Sequence, residues 1–361
     1  MNSPIQREKM GFIESMFFII HAQIGVGVLS MPYTIFLQAG EDAWISVLIS
    51  GLVVQLMLIL YHLLCKRFPG KNIFEISVTV LGPIGWLAGA VYTLYFFLVS
   101  TNMLALFGNV INKWLLPLTP VWLVILLMVV VGTYAVHSPL IILAKFMLVS
   151  SFVFLIFILL ISTSFLDADI YNILPIGSKG VFSILKGVKE AAFSMIGFEL
   201  FLVIYPYIRG SGRSKLKSAM LANAFVIFFY TLAVLATLMF FSEMEIAIIP
   251  EPLLYIIKSY SFQVVERIDI LFLSLWMVAV GTTYMGYLFG TAKGLSHMFK
   301  KKDHLSCVIP AAASTYIFSL IPHGEYDVTA TSHFISLGSS LATIIIPVIL
   351  FVAAFLRRRE S

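Results

Sequence analysis

Ten long apolar segments dominate this sequence, and each can cross about 30 Å of hydrocarbon as a helix. Backbone polar groups inside lipid must bond within their own segment, which makes such segments helical. Charged residues form only 11% of the chain, against about 25% in a soluble domain. The sequence therefore predicts an all-α membrane protein with one domain, residues 1–361. The predicted spans are 12–37, 43–65, 84–112, 120–137, 139–164, 182–206, 218–242, 267–295, 306–322 and 330–356.

The charges of the connecting loops alternate in sign from one loop to the next. Basic residues mark every second loop and both ends, and the positive-inside rule places these in the cytoplasm. Topology thus explains the net charge of +5, and a nucleic-acid partner is not predicted. The basic set is Arg7, Lys9, Lys66, Arg67, Lys71, Arg209, Arg213, Lys215, Lys217, Lys300, Lys301, Lys302, Arg357, Arg358 and Arg359. The acidic set is Glu41, Asp42, Asp167, Asp169, Glu243, Glu245, Glu251, Glu325 and Asp327.

Two connections have the composition of short helices that lie at the membrane surface, 70–83 on the cytoplasmic side and part of 246–265 on the other. The cysteines, Cys65 and Cys307, have no neighbouring Cys or His, so neither a disulfide nor a metal site is predicted. The chain also lacks a phosphate-binding loop and a set of nucleophile, base and orienting residue. We therefore expect no enzyme and no cofactor.

Span one is interrupted in its middle by Gly25 and Gly27. Glycine disfavours a helix interior by about 1 kcal/mol relative to alanine, and unwound backbone at membrane depth must be buried by protein or line a cavity. Span six has a second such glycine, Gly197. Breaks five spans apart predict a 5+5 inverted repeat, residues 12–164 and 182–356. The alternative is that these glycines serve only close helix packing.

The residues around the first break resemble a known family. The stretch from Phe18 to Pro32 (FIIHAQIGVGVLSMP), the cytoplasmic segment 67–71 (RFPGK) and Glu251-Pro252 are similar to spore germination permeases. These are the B subunits of Ger-type germinant receptors, in the amino acid/polyamine/organocation transporter superfamily. The resemblance covers essentially the whole chain. It implies a leucine-transporter-type fold of ten spans, with spans one and six broken.

The resemblance also implies where a ligand binds. In related transporters the unwound backbone of spans one and six binds the carboxylate and amino groups of the substrate. Helix N-termini attract anions and C-termini attract cations, which suits a zwitterion. The matching positions here are Ile24, Gly25, Val26, Gly27 and Val28 in span one, and Phe193, Ser194, Ile196 and Gly197 in span six.

Two charged side chains lie inside predicted spans. Glu199 follows the break in span six and is predicted to contact the ligand amine or relay a proton. A protonated or hydrogen-bonded structural acid is the alternative. Lys145 lies roughly 9 Å along span five, and the resemblance implies a cation or proton-coupling site between spans one, five and eight. Its alternative is snorkelling of the side chain to the cytoplasmic interface.

Side chains of spans three and eight complete the predicted site. The resemblance implies an aromatic gate in span three, Tyr95 or Phe96, with Thr101 as a polar lining residue. In span eight, Thr282 and Thr283 are predicted to line the pocket or to lie beside Lys145. His21, four residues before the break, is predicted to be a packing residue, although a histidine can also titrate near neutrality.

Three functions are consistent with these features. The first is a germinant-receptor B subunit that binds a small nutrient, expected to be an amino acid, and signals through A and C subunits in the spore inner membrane. The second is a proton-coupled amino acid symporter. The third is a passive conduit for water, ions or small solutes. The loops hold no separate signalling domain, so a sensor would need partner subunits for its output.

Overall fold

The computed structural model describes residues 9–260, 267–322 and 324–356, except for the side chain of Glu325. Arg7 and the arginines at 357–359, all predicted to be cytoplasmic, lie outside these ranges. Helices follow one another through the described chain, joined by short loops. Extended pairing within those ranges is limited to one bridge between Met10 and Ile208. The all-α prediction is therefore confirmed.

The predicted spans correspond to helices, most of whose ends lie within a few residues of the predicted ones. Their bounds are Phe12–Gln23 with Gly27–Ala39, Ala43–Arg67, Gly85–Trp114, Val121–Val136, Leu140–Ser150 with Phe152–Ser162, Val181–Ser194 with Leu200–Ile204, Gly212–Phe240, Ile268–Met298, Leu305–Ser319, and Gly324–Ser340 with Ile346–Leu356. They are numbered spans one to ten in chain order.

Length and composition indicate that this chain crosses a membrane many times. Six continuous helical stretches of the described chain are long and apolar enough to do so, and three shorter apolar helices occur beside them in the sequence, Phe12–Gln23, Val121–Val136 and Leu305–Ser319. The chain is therefore a multi-pass membrane protein. That it forms one domain with repeats at 12–164 and 182–356 stays a prediction.

Spans one and six are both discontinuous, as predicted. Span one consists of helix 1a, Phe12–Gln23, and helix 1b, Gly27–Ala39. Span six consists of helix 6a, Val181–Ser194, and helix 6b, Leu200–Ile204. Helix 1a packs against spans five, seven and eight, and helix 1b packs against 6a. Both breaks consequently lie inside the bundle, where other spans surround their unwound backbone.

The two connections predicted to be structured are helical. Ile73–Leu81 begins with a capping box, in which Asn72 Oδ1 accepts from the Glu75 amide at 3.1 Å and Glu75 Oε2 accepts from the Asn72 amide at 2.9 Å. Pro252–Ser259 forms the second short helix, and its neighbours at 261–266 lie outside the described residues. The end of the bundle that holds Glu251 is termed the outer end, after the orientation that the loop charges predict.

A backbone connection closes the opposite end of the bundle. The Met10 amide donates to the Tyr207 carbonyl at 2.9 Å, and the Arg209 amide donates to the Met10 carbonyl at 2.7 Å. These two bonds join the start of helix 1a to the segment that follows helix 6b. The start of helix 1a and the end of helix 6b are therefore joined at the end of the bundle opposite the outer end.

Candidate functional site

A cavity of about 650 Å³ lies at the two helix breaks. Its walls come from spans one, three, six, eight and ten, and it extends to Pro250 and Glu251 at the outer end. A cavity of this size has the dimensions of a small-molecule site. Most of its lining is apolar, with polar groups placed at the breaks and along span ten.

The break in span one leaves carbonyl groups without the amide donors that they would have in a continuous helix. The hydroxyl of Thr283 in span eight lies against two of them. Thr283 Oγ1 lies 2.5 Å from the His21 carbonyl oxygen and 3.2 Å from that of Ile24.

On the other side of the break, helix 1b begins at Gly27, and its second amide, that of Val28, makes only a long contact of 3.5 Å with the Gly25 carbonyl oxygen. The first amides of a helix have no carbonyl partner within the helix itself. Gly25 and Gly27 both line the cavity at this point. The break thus presents the positive end of a helix to the cavity.

The break in span six lies directly against the end of helix 1a. Gly197 has φ +122°, a backbone conformation that glycine adopts readily, and a side chain there would overlap the Ala22 carbonyl. Tyr230 of span seven contacts both breaks: its hydroxyl donates to the Gln23 carbonyl at 2.8 Å and lies 3.2 Å from the carbonyl oxygen of Ser194. The two breaks therefore form one connected site.

Glu199 is fully buried beside the cavity, and both of its carboxylate oxygens accept hydrogen bonds from the protein. Its Oε1 accepts from the hydroxyls of Tyr95 and Tyr287, both at 2.9 Å, and its Oε2 accepts from the Gly197 amide at 2.8 Å. Tyr287 lines the cavity, whereas Glu199 and Tyr95 do not. This geometry favours the alternative role, a structural acid that fixes the break in span six. Contact between Glu199 and a ligand stays a prediction.

The structure brings together about half of the predicted ligand residues. Those that line the cavity are Gly25, Val26, Gly27, Phe193, Ser194, Ile196 and Thr283. Those that are not part of its lining are Ile24, Val28, Tyr95, Phe96, Thr101, Gly197, Glu199 and Thr282. Phe96 packs in an aromatic cluster with Tyr92, Tyr95 and Tyr287, so no gating position is evident for it. The ligand roles of all these residues stay predictions.

The interface of spans one, five and eight is occupied by His21 and not by Lys145. His21 is fully buried, its Nδ1 lies 2.7 Å from Thr282 Oγ1, and its Nε2 lies 3.1 Å from Ser151 Oγ. This agrees with the prediction of a packing histidine. Lys145 lies on an exposed face of span five, next to the exposed Phe146. The geometry does not support its coupling role, which stays a prediction.

Span ten contributes cavity residues that the sequence reasoning missed. Thr329, Ser332, His333 and Ser336 line the cavity. Ser332 Oγ lies 3.0 Å from Asn102 Nδ2 and 3.2 Å from Asn102 Oδ1, which joins spans three and ten. The positions 329, 332 and 336 share one helical face, because residues three and four apart are neighbours on a helix. That polar stripe in an apolar span was the signal available in the sequence.

An ion pair stands where the cavity reaches the outer end. Lys113 Nζ lies 3.2 Å from both carboxylate oxygens of Glu251. Lys113 is the penultimate residue of span three, and Glu251 precedes the short outer helix Pro252–Ser259. Both residues belong to the cavity wall. The pair therefore links the outer loop to the bundle across the entrance.

Comparison with known proteins agrees with this architecture. Residues 9–328 match the model of the family described as spore germination protein. The chain is 30% identical to spore germination protein GerQB of Bacillus cereus over 302 residues, 81% of this chain and 82% of the relative. It is 24% identical to spore germination protein YndE of Bacillus subtilis (strain 168) over 356 residues, 97% of this chain and 98% of the relative.

A solved structure shows the same fold. Mhp1, a nucleobase-cation-symport-1 family transporter in a closed conformation with bromovinylhydantoin bound, superposes with a TM-score of 0.67. The match covers 98% of this chain and 80% of Mhp1 at 15% sequence identity, so it concerns the fold alone. The family match and the two relatives indicate the same family, and the fold is consistent with them. The chain belongs to the spore germination protein family.

Proposed function

We propose that this chain is the B subunit of a spore nutrient-germinant receptor, which binds a small amino acid at the two helix breaks. The observation that carries this proposal is the cavity of about 650 Å³ bordered by Gly25, Gly27 and Ser194. The start of helix 1b is suited to a carboxylate and the ends of helices 1a and 6a to an ammonium group. A zwitterion would match both ends at once.

Signalling requires that the ligand bind one conformation of the bundle more tightly than another. A change from 1:99 to 99:1 between two states needs a preference of about 10⁴. The cavity extends toward the outer end, and the Met10 backbone pairing ties the opposite end together, so a rearrangement of helices 1a and 6b would reach the cytoplasmic face. We propose that germinant-receptor A and C subunits receive this change in the spore inner membrane, with both termini of this chain cytoplasmic.

Ligand-induced thermal stabilisation tests the binding step. The purified protein in nanodiscs is heated with each of the twenty L-amino acids, because a ligand that binds only the folded state raises its apparent stability by mass action. We expect a concentration-dependent rise in Tm for one or a few small amino acids. If no amino acid raises the Tm, the proposed ligand class is wrong.

A proton-coupled amino acid symporter is the second candidate, and the transporter fold shared with Mhp1 favours it. Uptake into liposomes separates the two functions. A sensor binds its amino acid without accumulating it, whereas a symporter accumulates it against a gradient in a pH-dependent manner. Solute flux without ligand, lost on a bulky substitution at Gly25, would instead support the passive conduit.

A further inference from the structure

Gln23 has an unusual side chain, whose buried amide lies beside the cavity. It is the last residue of helix 1a, it lines the cavity, and only 2% of it is exposed. Neither Nε2 nor Oε1 of its carboxamide has a hydrogen-bond partner among the described residues. Its backbone carbonyl, by contrast, accepts from Tyr230. The unpaired polar group is therefore confined to the side chain.

A buried amide without partners lowers the stability of a protein, and most such groups in native structures are paired. Two other amide side chains in the described chain, the half-buried Gln55 and the buried Asn223, show the usual arrangement. Gln55 Nε2 donates to the Met220 carbonyl at 3.0 Å, and Asn223 Nδ2 donates to the Gly51 carbonyl at 3.1 Å. Each of these has one unpaired oxygen. Gln23 differs because both of its amide atoms are unpaired and because it stands on the cavity wall.

The position of Gln23 matches the polarity of an amino acid. It stands between the carbonyl end of helix 1a and the cavity-lining Gly25 and Gly27, which lead into the amide end of helix 1b. A carboxamide carries an acceptor and a donor side by side. An α-amino acid carries an ammonium donor and a carboxylate acceptor on one carbon. One neutral side chain can thus pair with both charged groups.

Building on the function proposed above, we propose that Gln23 is a specificity-determining residue that binds both charged groups of an α-amino acid. Its Oε1 accepts from the ligand ammonium, and its Nε2 donates to the ligand carboxylate. An amine or an acid that has only one of these groups leaves one amide atom unpaired and binds more weakly.

Replacing Gln23 with methionine tests this role, because methionine has a similar shape and no amide. Wild type, Gln23→Met and the control Gln55→Met are purified in nanodiscs and titrated with the twenty L-amino acids by calorimetry. We expect Gln23→Met to bind the best wild-type ligand about ten- to hundredfold more weakly, the loss for hydrogen bonds to charged groups. Its Tm without ligand should not fall, and Gln55→Met should bind as wild type does.

A second variant guards against a folding defect in the first. Gln23→Glu replaces the donor with a carboxylate, which repels the ligand carboxylate and attracts its ammonium. The amine analogue of the best ligand should therefore gain affinity relative to the amino acid. An unchanged Kd and an unchanged preference for the amino acid over its amine in these variants would overturn the role of Gln23 alone. A wild-type protein that binds no amino acid would overturn the proposed function as well.

Discussion

Thr283 leaves no room for a side chain on Gly25, since a Cβ there would lie 2.8 Å from the Thr283 hydroxyl oxygen. The same hydroxyl contacts the carbonyl oxygens of His21 and Ile24, which lack helical amide partners at the break. Glycine at this position thus has two consequences. It permits the unwound backbone, and it lets span eight approach closely enough to support it.

Gly25→Ala should weaken ligand binding without preventing membrane insertion. The added methyl must displace Thr283, and overpacking of this kind costs about 1–3 kcal/mol. We expect a loss of roughly tenfold or more in affinity, measured by calorimetry in nanodiscs. Gly338→Ala is the matched control, because a Cβ at Gly338 meets nothing within 4 Å. Wild-type affinity in Gly25→Ala would place the ligand elsewhere.

Tyr95→Phe and Tyr287→Phe should lower stability by similar amounts and differ in their effect on ligand. Each removes one hydrogen bond to the same oxygen of Glu199. Removing one partner of a buried group costs about 1–3 kcal/mol, which a denaturation series reports. Only Tyr287 lines the cavity, so only Tyr287→Phe should also change ligand affinity. Equal losses of affinity in both variants would indicate that Glu199 contacts the ligand.

Lys145→Met should leave ligand affinity and its pH profile unchanged, because Lys145 lies on an exposed face of span five. Phe146→Met serves as a control on the same exposed face, since Phe146 is 44% exposed. Ligand titrations between pH 5 and 8 check both variants. A pH profile that changes in Lys145→Met alone would support the proton-coupling role predicted from the resemblance.

The outer loops should show a pH-dependent stability that depends on Glu243. A hydrogen bond with Glu41 raises the pKa of the Glu243 carboxyl above its ordinary 4.5. Because this pKa is higher in the folded protein, the bond stabilises the fold below pH 4.5 and is lost as the pH rises through the raised value. Lys179, whose Nζ lies 3.6 Å from Glu243 Oε2, offsets part of that loss.

Glu243→Gln keeps a hydrogen-bond donor at every pH. The Tm of wild type relative to that of Glu243→Gln should fall as the pH rises from about 4 to 7, because the other carboxyls affect the Tm of both proteins alike. Thermal unfolding in detergent measures both proteins. If the Tm of the two proteins changed with pH by the same amount, the hydrogen bond between Glu243 and Glu41 would not contribute to stability.

The span bounds and both breaks could be predicted because they depend on local sequence. Apolar length determines where a helix can cross the membrane, and Gly25 and Gly197 mark positions where a helix is easily broken. The surroundings of Glu199 could not be predicted in this way. Its partners Tyr95 and Tyr287 come from spans three and eight, more than eighty residues away on either side.

The face of a span that turns into the bundle was also hard to predict. Span five is apolar on all sides, so its sequence does not indicate that Lys145 turns outward while Ser151 turns toward His21. A role for Gln23 could not be predicted from the sequence, because a single amide residue beside two glycines forms no recognisable motif. Its significance appears only when the surrounding side chains prove to offer it no partner.

Tyr230 contacts the backbone at both breaks. Its single hydroxyl touches the last residue of helix 1a and the last residue of helix 6a, and it stands on span seven, which is continuous from Gly212 to Phe240. A ligand that displaced either helix end would therefore change a contact of the same hydroxyl that the other end also contacts. We therefore expect movement at one break to reach the other through Tyr230, whose helix begins beside the basic residues Arg209 and Arg213.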